Sequence, residues 1–479
     1  MALHLVGARC GGGARQGPWA DREDLGILPG PRRACGPVSD RAGRHAQAGG
    51  GGRRPVPVRD LTPGLDERVE GRLDARLDVG PGAPLAVALS GGGDSLALTR
   101  IAAGWARRHG RPLLVLTVDH GLQPGSAEWT TACAAAADRL GAGFRALAWR
   151  GPYPASGLPA AARRARHALL ADAARAAGAR VLLMGHTADD LAEAALMRAE
   201  GGTTPSPREW GPSPAWPEGR GVFLLRPMLA VGRAEIREWL AEAGETWIED
   251  PANEDPRFAR SRARHARLQG AVTDACVAHD ASGAAALTSE VRATPFGLAL
   301  DRQAFRQAGP DAARRVLGAA CLAAGGGVRP ARTAALEALR LRLVDAGEVQ
   351  ASLAGAQVQA DARDILWGRT AGEMARAGVP DLALGAGEVG VLDGRFEVEA
   401  VRPVTVTRLA GRMSSLPPRT RATLAEVPPT FRGGLPAVVS EAGTRLASGE
   451  DSGVRLRGLA RARLAAACGE IASESGVRD

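Results

Sequence analysis

Residues 85–98 have the sequence LAVALSGGGDSLAL, an apolar run, then a glycine-rich turn, then the start of a helical pattern. Residues 85–89 have the length of a buried strand, and the breakers Gly80, Pro81 and Pro84 precede them. In the turn, consecutive glycines let backbone N–H groups converge at a helix N-terminus, which already favours anions. The stretch therefore predicts a phosphate-binding loop between a strand and a helix.

This loop lacks the lysine of the common ATP-binding loop GxxxxGK(S/T), because the whole chain contains none. Backbone amides and serine hydroxyls have to hold the phosphates instead. A tight turn with no ligand is the alternative, but the ordered string Ser-Gly-Gly-x-Asp-Ser after an apolar strand is more specific. It resembles the pyrophosphate loop of the PP-loop ATPases, which split ATP between its α and β phosphates. The expected ATP contacts here are Ser90, Gly91, Gly92, Gly93, Asp94 and Ser95.

The composition predicts a cytoplasmic protein of two or three domains. The 479 residues carry a formal charge of +9, but the first 60 residues supply ten Arg against five acids, so the remainder is only mildly basic. Nucleic-acid binding must therefore be argued from local arginine clusters. No apolar run reaches transmembrane length, and we expect no membrane partner. The six cysteines show no metal-ligand spacing: Cys10, Cys35, Cys133, Cys276, Cys321 and Cys468.

Four segments are expected along the chain. Residues 1–60, rich in Gly, Pro and Arg, have no periodicity and are interpreted as disordered or as a non-native extension. Residues 61–270 alternate strand and helix patterns, which predicts an α/β domain with a parallel doubly wound sheet. Residues 271–375 look helical, and residues 376–479 look like a small β-rich or α+β module. The predicted strands of the sheet are 85–89, 113–118, 144–149, 181–184 and 222–225.

Residues that directly follow these strands are the candidates for ligand contact, because open parallel sheets bind ligands beyond the carboxyl ends of their strands. Asp119 and His120 follow the second strand, and Ser126 is expected to cap the next helix. Asp119 and His120 could be structural, but their place beside the phosphate loop favours contact with ATP. Arg163 and Arg166, three apart on a helix that begins near residue 158, share a face. That pair alone is more typical of a solvated surface.

The sequence GHTADDLAE, after the fourth strand, is a second strong signal. His186, Asp189, Asp190 and Glu193 have helical spacing, which predicts one helix face with a histidine and three carboxylates at the mouth of the sheet. Such acids repel one another unless a cation is present, and Mg²⁺ held by carboxylates and ATP phosphates would supply it. The predicted metal ligands are Asp94, Asp189 and Asp190. A solvated acidic first turn is the alternative.

A basic stripe follows an acidic loop near residue 255. Arg257, Arg260, Arg264 and Arg267 lie along one side of a predicted helix and suit phosphate groups, although a solvated face explains such a run equally well.

Taken together, these motifs resemble the tRNA(Ile)-lysidine synthetase family. Its ordered signature is SGGGDSLAL, VDHGLxxxS, ARxxRHxxL, GHTADDxAE, RPML followed by RxxI, and WIEDPANEDPRFxR, over about residues 65–270. The resemblance implies that ATP adenylates the C2 carbonyl oxygen of the wobble cytidine in the CAU anticodon of tRNA(Ile). Free L-lysine then displaces AMP. It implies Mg²⁺ and tRNA as partners, tRNA-binding domains after residue 270, and leaves a homodimer open.

The resemblance also implies residue roles. Asp94 would lie near the reacting centre, and His186, Asp189 and Asp190 would be catalytic around Mg²⁺, the activated cytosine and the lysine amine. Contacts to phosphates or to the activated intermediate are implied for Arg163, Arg166, Arg260 and Arg264. Residues 199–221, rich in Pro and Trp, depart from the family pattern. Two alternatives remain: another PP-loop tRNA-modifying or adenylating ligase, and a catalytically inactive tRNA-binding paralogue.

Overall fold

The apolar run at residue 85 is the first strand of a six-stranded sheet with the order β3-β2-β1-β4-β6-β5. All its strand pairs are parallel except the pair between β5 and β6. The computed structural model describes residues 63–122, 125–200, 206–249, 282–345, 347–441, 443–449 and 452–477. The strands are β1 Leu85–Ala88, β2 Leu113–Asp119, β3 Gly143–Ala148, β4 Val181–Leu183, β5 Trp210–Pro212 and β6 Phe223–Leu225.

The five predicted strands are confirmed to within one residue at each end. The short antiparallel strand β5 was not predicted, since its sequence WGP has neither length nor alternation. Successive residues of a strand point to opposite faces of the sheet. Here each face is covered by its own apolar core. Val87 and Leu183 pack in one core, whereas Ala86 and Leu182 pack in the other. The predicted parallel, doubly wound architecture is therefore confirmed.

Among the described residues of the first domain, six helices accompany this sheet. The predicted starts of two of these helices are wrong. Gly125 precedes the third helix, so Ser126 is its first residue rather than its cap. Thr187 is the N-cap of the fifth, which places His186 in the turn before the helix and not on its face. The helices are α1 Leu65–Asp74, α2 Gly93–Arg108, α3 Ser126–Arg139, α4 Leu158–Ala176, α5 Ala188–Ala199 and α6 Arg233–Glu242.

The segment predicted to be helical after residue 270 also holds a five-stranded antiparallel sheet, β7-β8-β11-β10-β9, so the purely helical interpretation is wrong. In the sequence AQVQA, residues 356–360, apolar and polar residues alternate, which is a strand signal. Its Val358 pairs with Trp367 in the sheet. The prediction missed this signal because helical patterns dominate the neighbouring sequence. Its strands are β7 Arg292–Thr294, β8 Gly297–Asp301, β9 Val349–Leu353, β10 Ala356–Ala360 and β11 Asp364–Gly368. Its helices are α7 Ser282–Ser289, α8 Arg302–Gln307, α9 Pro310–Gly325 and α10 Thr333–Asp345.

The last part of the chain is α+β, as predicted. Two antiparallel sheets, β12-β15-β16-β17 and β13-β14-β18, share it with short helices. The strands are β12 Leu382–Leu384, β13 Val389–Leu392, β14 Phe396–Ala400, β15 Val404–Arg408, β16 Pro436–Ser440, β17 Gly443–Leu446 and β18 Val454–Gly458. The helices are α11 Ala371–Arg376, α12 Pro418–Thr423, α13 Pro429–Arg432 and α14 Ala460–Cys468. Within the described ranges, no helix has the length and apolar character needed to cross a bilayer.

The chain then returns to the first domain through residues 471–477, which we call the C-terminal clasp. Both oxygens of the Glu474 carboxylate accept hydrogen bonds from Arg111, at 2.7 and 2.9 Å, and both side chains are buried. The backbone N–H of Glu474 donates to the carbonyl of Arg76 at 2.8 Å. The C-terminal clasp therefore attaches residues 471–477 to the first domain, which contains the phosphate loop.

Candidate active site

The phosphate loop lies where the strand order of the sheet reverses, between β1 and its neighbours β2 and β4. Such a switch point opens a crevice at the carboxyl ends of the strands. The turn after β4 comes very close to the loop. A Cβ on Gly185 would lie 3.0 Å from the Cα of Ser95 and 3.1 Å from the carbonyl oxygen of Asp94. Only glycine fits there, and its absent side chain brings the two ligand-binding turns together.

The loop itself is braced by its two serines. The hydroxyl of Ser95 accepts the Ser90 N–H at 3.1 Å and donates to the carbonyl of Gly92 at 2.9 Å. The Ser90 hydroxyl, 3.0 Å away, must then donate to Ser95. Gly91 has φ of +86° and its carbonyl accepts the N–H of Ile248 at 3.0 Å. The glycine backbone is therefore held in an open turn at the N-terminus of α2, as a phosphate cradle requires.

Arg233, the first residue of α6, lies among four carboxylates beside this cradle. Its Nε donates to Asp94 Oδ2 at 3.1 Å, and its side chain also donates to Glu193 Oε1 at 3.3 Å. Its backbone N–H donates to Asp189 Oδ2 at 2.8 Å, and its guanidinium lies 3.8 Å from Asp190 Oδ1. Three elements therefore meet at one cation: α2, α5 and α6.

The electrostatics of this cluster are set by burial and by the attraction between Arg233 and the carboxylates around it. Burial raises the pKa of Asp94, the attraction of Arg233 opposes that effect, and the charges of Asp190 and Asp189 add to it. Burial works against the charge of Arg233, but the carboxylates of Asp94, Glu193 and Asp190 outweigh it and raise the pKa of the guanidinium. The gathered carboxylates therefore make this an acidic environment, in which positively charged groups are favoured.

Asp190 has a structural task in the same cluster. Its Oδ2 accepts hydrogen bonds from the backbone N–H of Thr187 at 2.7 Å and from the Thr187 hydroxyl at 3.1 Å. This reciprocal capping box satisfies the first turn of α5. Asp190 thereby sets the direction in which Asp189 and Glu193 leave the helix.

His186 has Arg226 as a partner, and the charge of Asp190 in the cluster also acts on that guanidinium. Arg226 Nε donates to His186 Nδ1 at 3.1 Å, and since arginine only donates, Nδ1 must be the unprotonated nitrogen. Burial, followed by the charge of Arg163, lowers the pKa of Arg226 to about 10. The carbonyl of Arg208 accepts a second hydrogen bond from Arg226 at 2.8 Å. The divergent segment around residue 208 therefore positions Arg226, which in turn orients His186.

That segment also reaches the C-terminal part of the chain. Trp210 Nε1 donates to the carbonyl of Ile471 at 2.9 Å, and Trp216 Nε1 donates to the carbonyl of Gly394 at 2.8 Å. Arg220 pairs with Glu397. The Pro- and Trp-rich sequence of residues 206–221 thus serves to pack the first domain against the rest of the molecule.

The arginine pair of α4 lies beside two histidines. His167 is buried, and neither ring nitrogen has a hydrogen-bond partner among the described residues. Burial lowers the pKa of His167 to about 2, and the charges of Arg166, Arg163 and Arg226 add to that effect. Burial and then Arg166 also lower the pKa of His120. A cationic group therefore lies on this side of the crevice, opposite in sign to the carboxylate cluster.

The predicted residues thus divide into groups. Asp94, Asp189, Asp190 and Glu193 come together around Arg233, whereas His186 joins Arg226 and the α4 arginines. Asp119 uses Oδ1 to accept the N–H of Gly121 at 2.8 Å. Arg260 and Arg264 lie outside the described residues. Over the part of the chain that is described, no three His, Cys, Asp or Glu side chains have metal-holding geometry.

Arg226 and Arg233 were not predicted as site residues. Both belong to the motif RPML followed by RxxI, so the signal was present, but neither has a spacing that identifies its partners. The partners lie 40 to 139 residues away in the chain, and only the sheet order brings them close.

Comparison with known proteins agrees with this arrangement. Residues 65–270 match the model of a PP-loop domain. The chain is 46% identical over 420 residues to a tRNA(Ile)-lysidine synthase of Caulobacter vibrioides, covering 85% of this chain and 99% of that protein. Proteins of the same name from Hyphomonas neptunium and Methylobacterium nodulans are 36% and 39% identical, over 58% and 60% of this chain and 79% and 90% of theirs.

Among solved structures, a U34-tRNA thiolase from Methanococcus maripaludis matches 43% of this chain and 70% of its own, at 16% identity and a TM-score of 0.35. The identity to the Caulobacter protein extends over 85% of this chain and almost the whole of that protein. The chain belongs to the tRNA(Ile)-lysidine synthase family.

Proposed function

We propose that this chain joins L-lysine to C2 of the wobble cytidine in tRNA(Ile) with a CAU anticodon, at the cost of ATP. In the first step the C2 carbonyl oxygen attacks the α-phosphate of ATP, and pyrophosphate leaves. In the second step the lysine ε-amine attacks C2, and AMP leaves with the oxygen. The observation that supports this most directly is the carboxylate cluster around Arg233, beside a lysine-free phosphate loop.

The phosphate loop suits the first step. Its glycines present backbone N–H groups at the start of α2, and the Ser90–Ser95 hydrogen bonds keep that turn open before ATP arrives. Asp119 and His120, at the end of the adjacent strand β2, are proposed to contact the nucleoside part of ATP. We assign the ATP site to these two residues and to Ser90–Ser95 of the loop.

Mg²⁺ fits the donor chemistry of the same place. Asp94 and Asp189 supply the carboxylate oxygens that Mg²⁺ prefers, and Mg²⁺ needs only one or two of them when phosphate oxygens complete its shell. Burial raises the pKa of Asp94, and a cation bound beside it would favour its charged form. Bound there, the ion would neutralise charge on the departing pyrophosphate.

The rest of the acidic cluster suits lysine. The ε-ammonium is a cation, and the carboxylates gathered beside the phosphate loop would attract it. The amine must lose a proton before it attacks, and a carboxylate of the cluster can accept it. Arg163, Arg166 and Arg226, on the opposite side of the crevice, would hold phosphate groups of the RNA or of the adenylate. His186, oriented by Arg226, would face the activated cytosine between the two groups.

The two alternative functions find less support. A thiolase needs a reactive thiol, but Cys133, the described cysteine nearest the loop, is buried, and burial raises its pKa. An inactive paralogue would not need to retain four carboxylates gathered beside the phosphate loop. The domains after residue 270 are proposed to bind the body of the tRNA.

The test is the ATP-dependent transfer of labelled lysine to a CAU-bearing tRNA(Ile) transcript, for the wild type and for Asp94→Asn. The matched control is Asp311→Asn, which changes an exposed aspartate at the start of α9. We expect transfer by the wild type and the control, and at least a hundredfold less by Asp94→Asn. Cleavage of ATP to AMP without lysine transfer by the wild type would refute the proposed nucleophile.

A further inference from the structure

Three aromatic rings form a continuous ladder at the carboxyl ends of β2 and β3; two of them lie outside the groups described so far, and the third, His120, is the one also proposed to contact ATP. Tyr153 lies against Trp149 with ring centroids 4.8 Å apart, and Trp149 meets His120 edge-on at 6.0 Å. We call His120, Trp149 and Tyr153 the aromatic platform. It is notable in this chain because Tyr153 is its only tyrosine.

The platform is held rigidly from below. The Tyr153 hydroxyl donates to the carbonyl of Trp149 at 2.9 Å, and the Trp149 N–H donates to the carbonyl of Asp119 at 2.8 Å. The Trp149 ring packs in a small cluster with Ala161 and Ala162 of α4. Trp149 is 8% exposed, whereas Tyr153 is 53% exposed. A half-exposed aromatic ring is therefore fixed in place and open to solvent at the carboxyl ends of the strands.

Described arginines border the platform in the chain. Arg150 follows Trp149 and Arg163 follows Ala162 of the Trp149 cluster, and both are exposed. Burial and then the charge of Arg166 lower the pKa of His120. The Asp119 carboxylate, next to His120 in the chain, accepts the N–H of Gly121. A fixed aromatic surface bordered by arginines is the combination with which proteins bind unpaired nucleotides, stacking the base and pairing the phosphate.

We infer that the aromatic platform stacks an unpaired base of the tRNA anticodon loop next to the target cytidine, an inference that rests on the proposed function. With about 4.8 Å between neighbouring strands, the end of β3 lies roughly 10 Å from the phosphate loop after β1. A neighbouring nucleotide of an open loop spans that separation. The exposure of Tyr153 favours a base presented by a large RNA over the adenine of ATP, which has to enter the crevice.

The experiment compares Tyr153→Ala with Tyr153→Phe, which keeps the ring and loses only the hydroxyl. The probe is an anticodon stem-loop RNA in which 2-aminopurine replaces the adenosine of CAU. We expect Tyr153→Ala to weaken binding by about 5- to 100-fold, the usual range for one stacked base. It should also abolish the quenching of 2-aminopurine fluorescence. Tyr153→Phe should bind within about threefold of the wild type and quench fully, with the KM for ATP unchanged throughout.

Two results would overturn the inference. One is equal RNA affinity for Tyr153→Ala and wild type. The other is an increased KM for ATP in Tyr153→Ala with unchanged RNA binding, which would assign the platform to adenine. Thermal unfolding checks that the variant is folded, as expected for an exposed ring. If the wild type binds the RNA and quenches the 2-aminopurine fluorescence but transfers no lysine, the platform is supported and only the proposed function is refuted.

Discussion

Replacing Arg233 tests whether the carboxylate cluster depends on this one cation. Arg233→Met keeps the length and helix propensity of the side chain, and the backbone hydrogen bond to Asp189 survives. The charge-assisted bonds to Asp94 and Glu193 are lost, and the Glu193 side chain, 1% exposed, is left without them. At about 1.5–3 kcal/mol for each such bond, we expect the free energy of unfolding to fall by about 3–5 kcal/mol.

Urea unfolding in EDTA measures this loss. The matched control is Arg237→Met, one turn further along α6, whose pair with Glu249 is exposed and should contribute at most about 1 kcal/mol. Adding Glu193→Gln to Arg233→Met should recover part of the loss, since a buried carboxylate that has lost its bond to Arg233 is replaced by a neutral side chain. An Arg233→Met variant as stable as the Arg237→Met control would refute the reasoning.

Three further outcomes follow from the structure. Because the folded-state pKa of His167 is lowered to about 2, the unfolded chain gains protons below about pH 6.5, and stability falls as the pH drops from there. In urea unfolding near pH 4, the His167→Gln variant should lose about 3 kcal/mol less free energy of unfolding, relative to its value at neutral pH, than the wild type does. Gly185→Ala should abolish lysine transfer and lower the free energy of unfolding by about 1–3 kcal/mol, because the added Cβ meets the backbone of α2. The control Gly104→Ala should not destabilise the protein, because a Cβ there meets only the Arg108 side chain, at 3.6 Å. Glu474→Gln should cost about 3–5 kcal/mol in chemical unfolding, against less than about 1 kcal/mol for Glu399→Gln in the exposed pair with Arg455; equal losses would contradict the role of the clasp.

Local signals were sufficient for much of the fold. Apolar runs bounded by Gly and Pro located five strands of the first sheet, and the order of the βα units predicted its parallel, doubly wound form. The same signals failed where patterns were short or mixed. Strand β5 contains Gly and Pro, and the hairpins after residue 290 alternate with helices that dominate their surroundings. His186 has helical spacing, yet Thr187 and Asp190 form the capping box that starts the helix after it.

The sequence by itself determined the chemistry of the loop, since a lysine-free SGGGDS turn after a strand has few other uses, and it identified the acids that follow β4. Only the tertiary structure decided their partners. Arg233 follows β6 and meets Asp94 after β1, across 139 residues of chain, because β4 alone separates these two strands in the sheet. Glu474 reaches Arg111 across 363 residues. Such contacts depend on the order of strands and the packing of domains, which no local pattern encodes. The aromatic platform was likewise invisible in sequence, because its three rings come from the ends of two different strands.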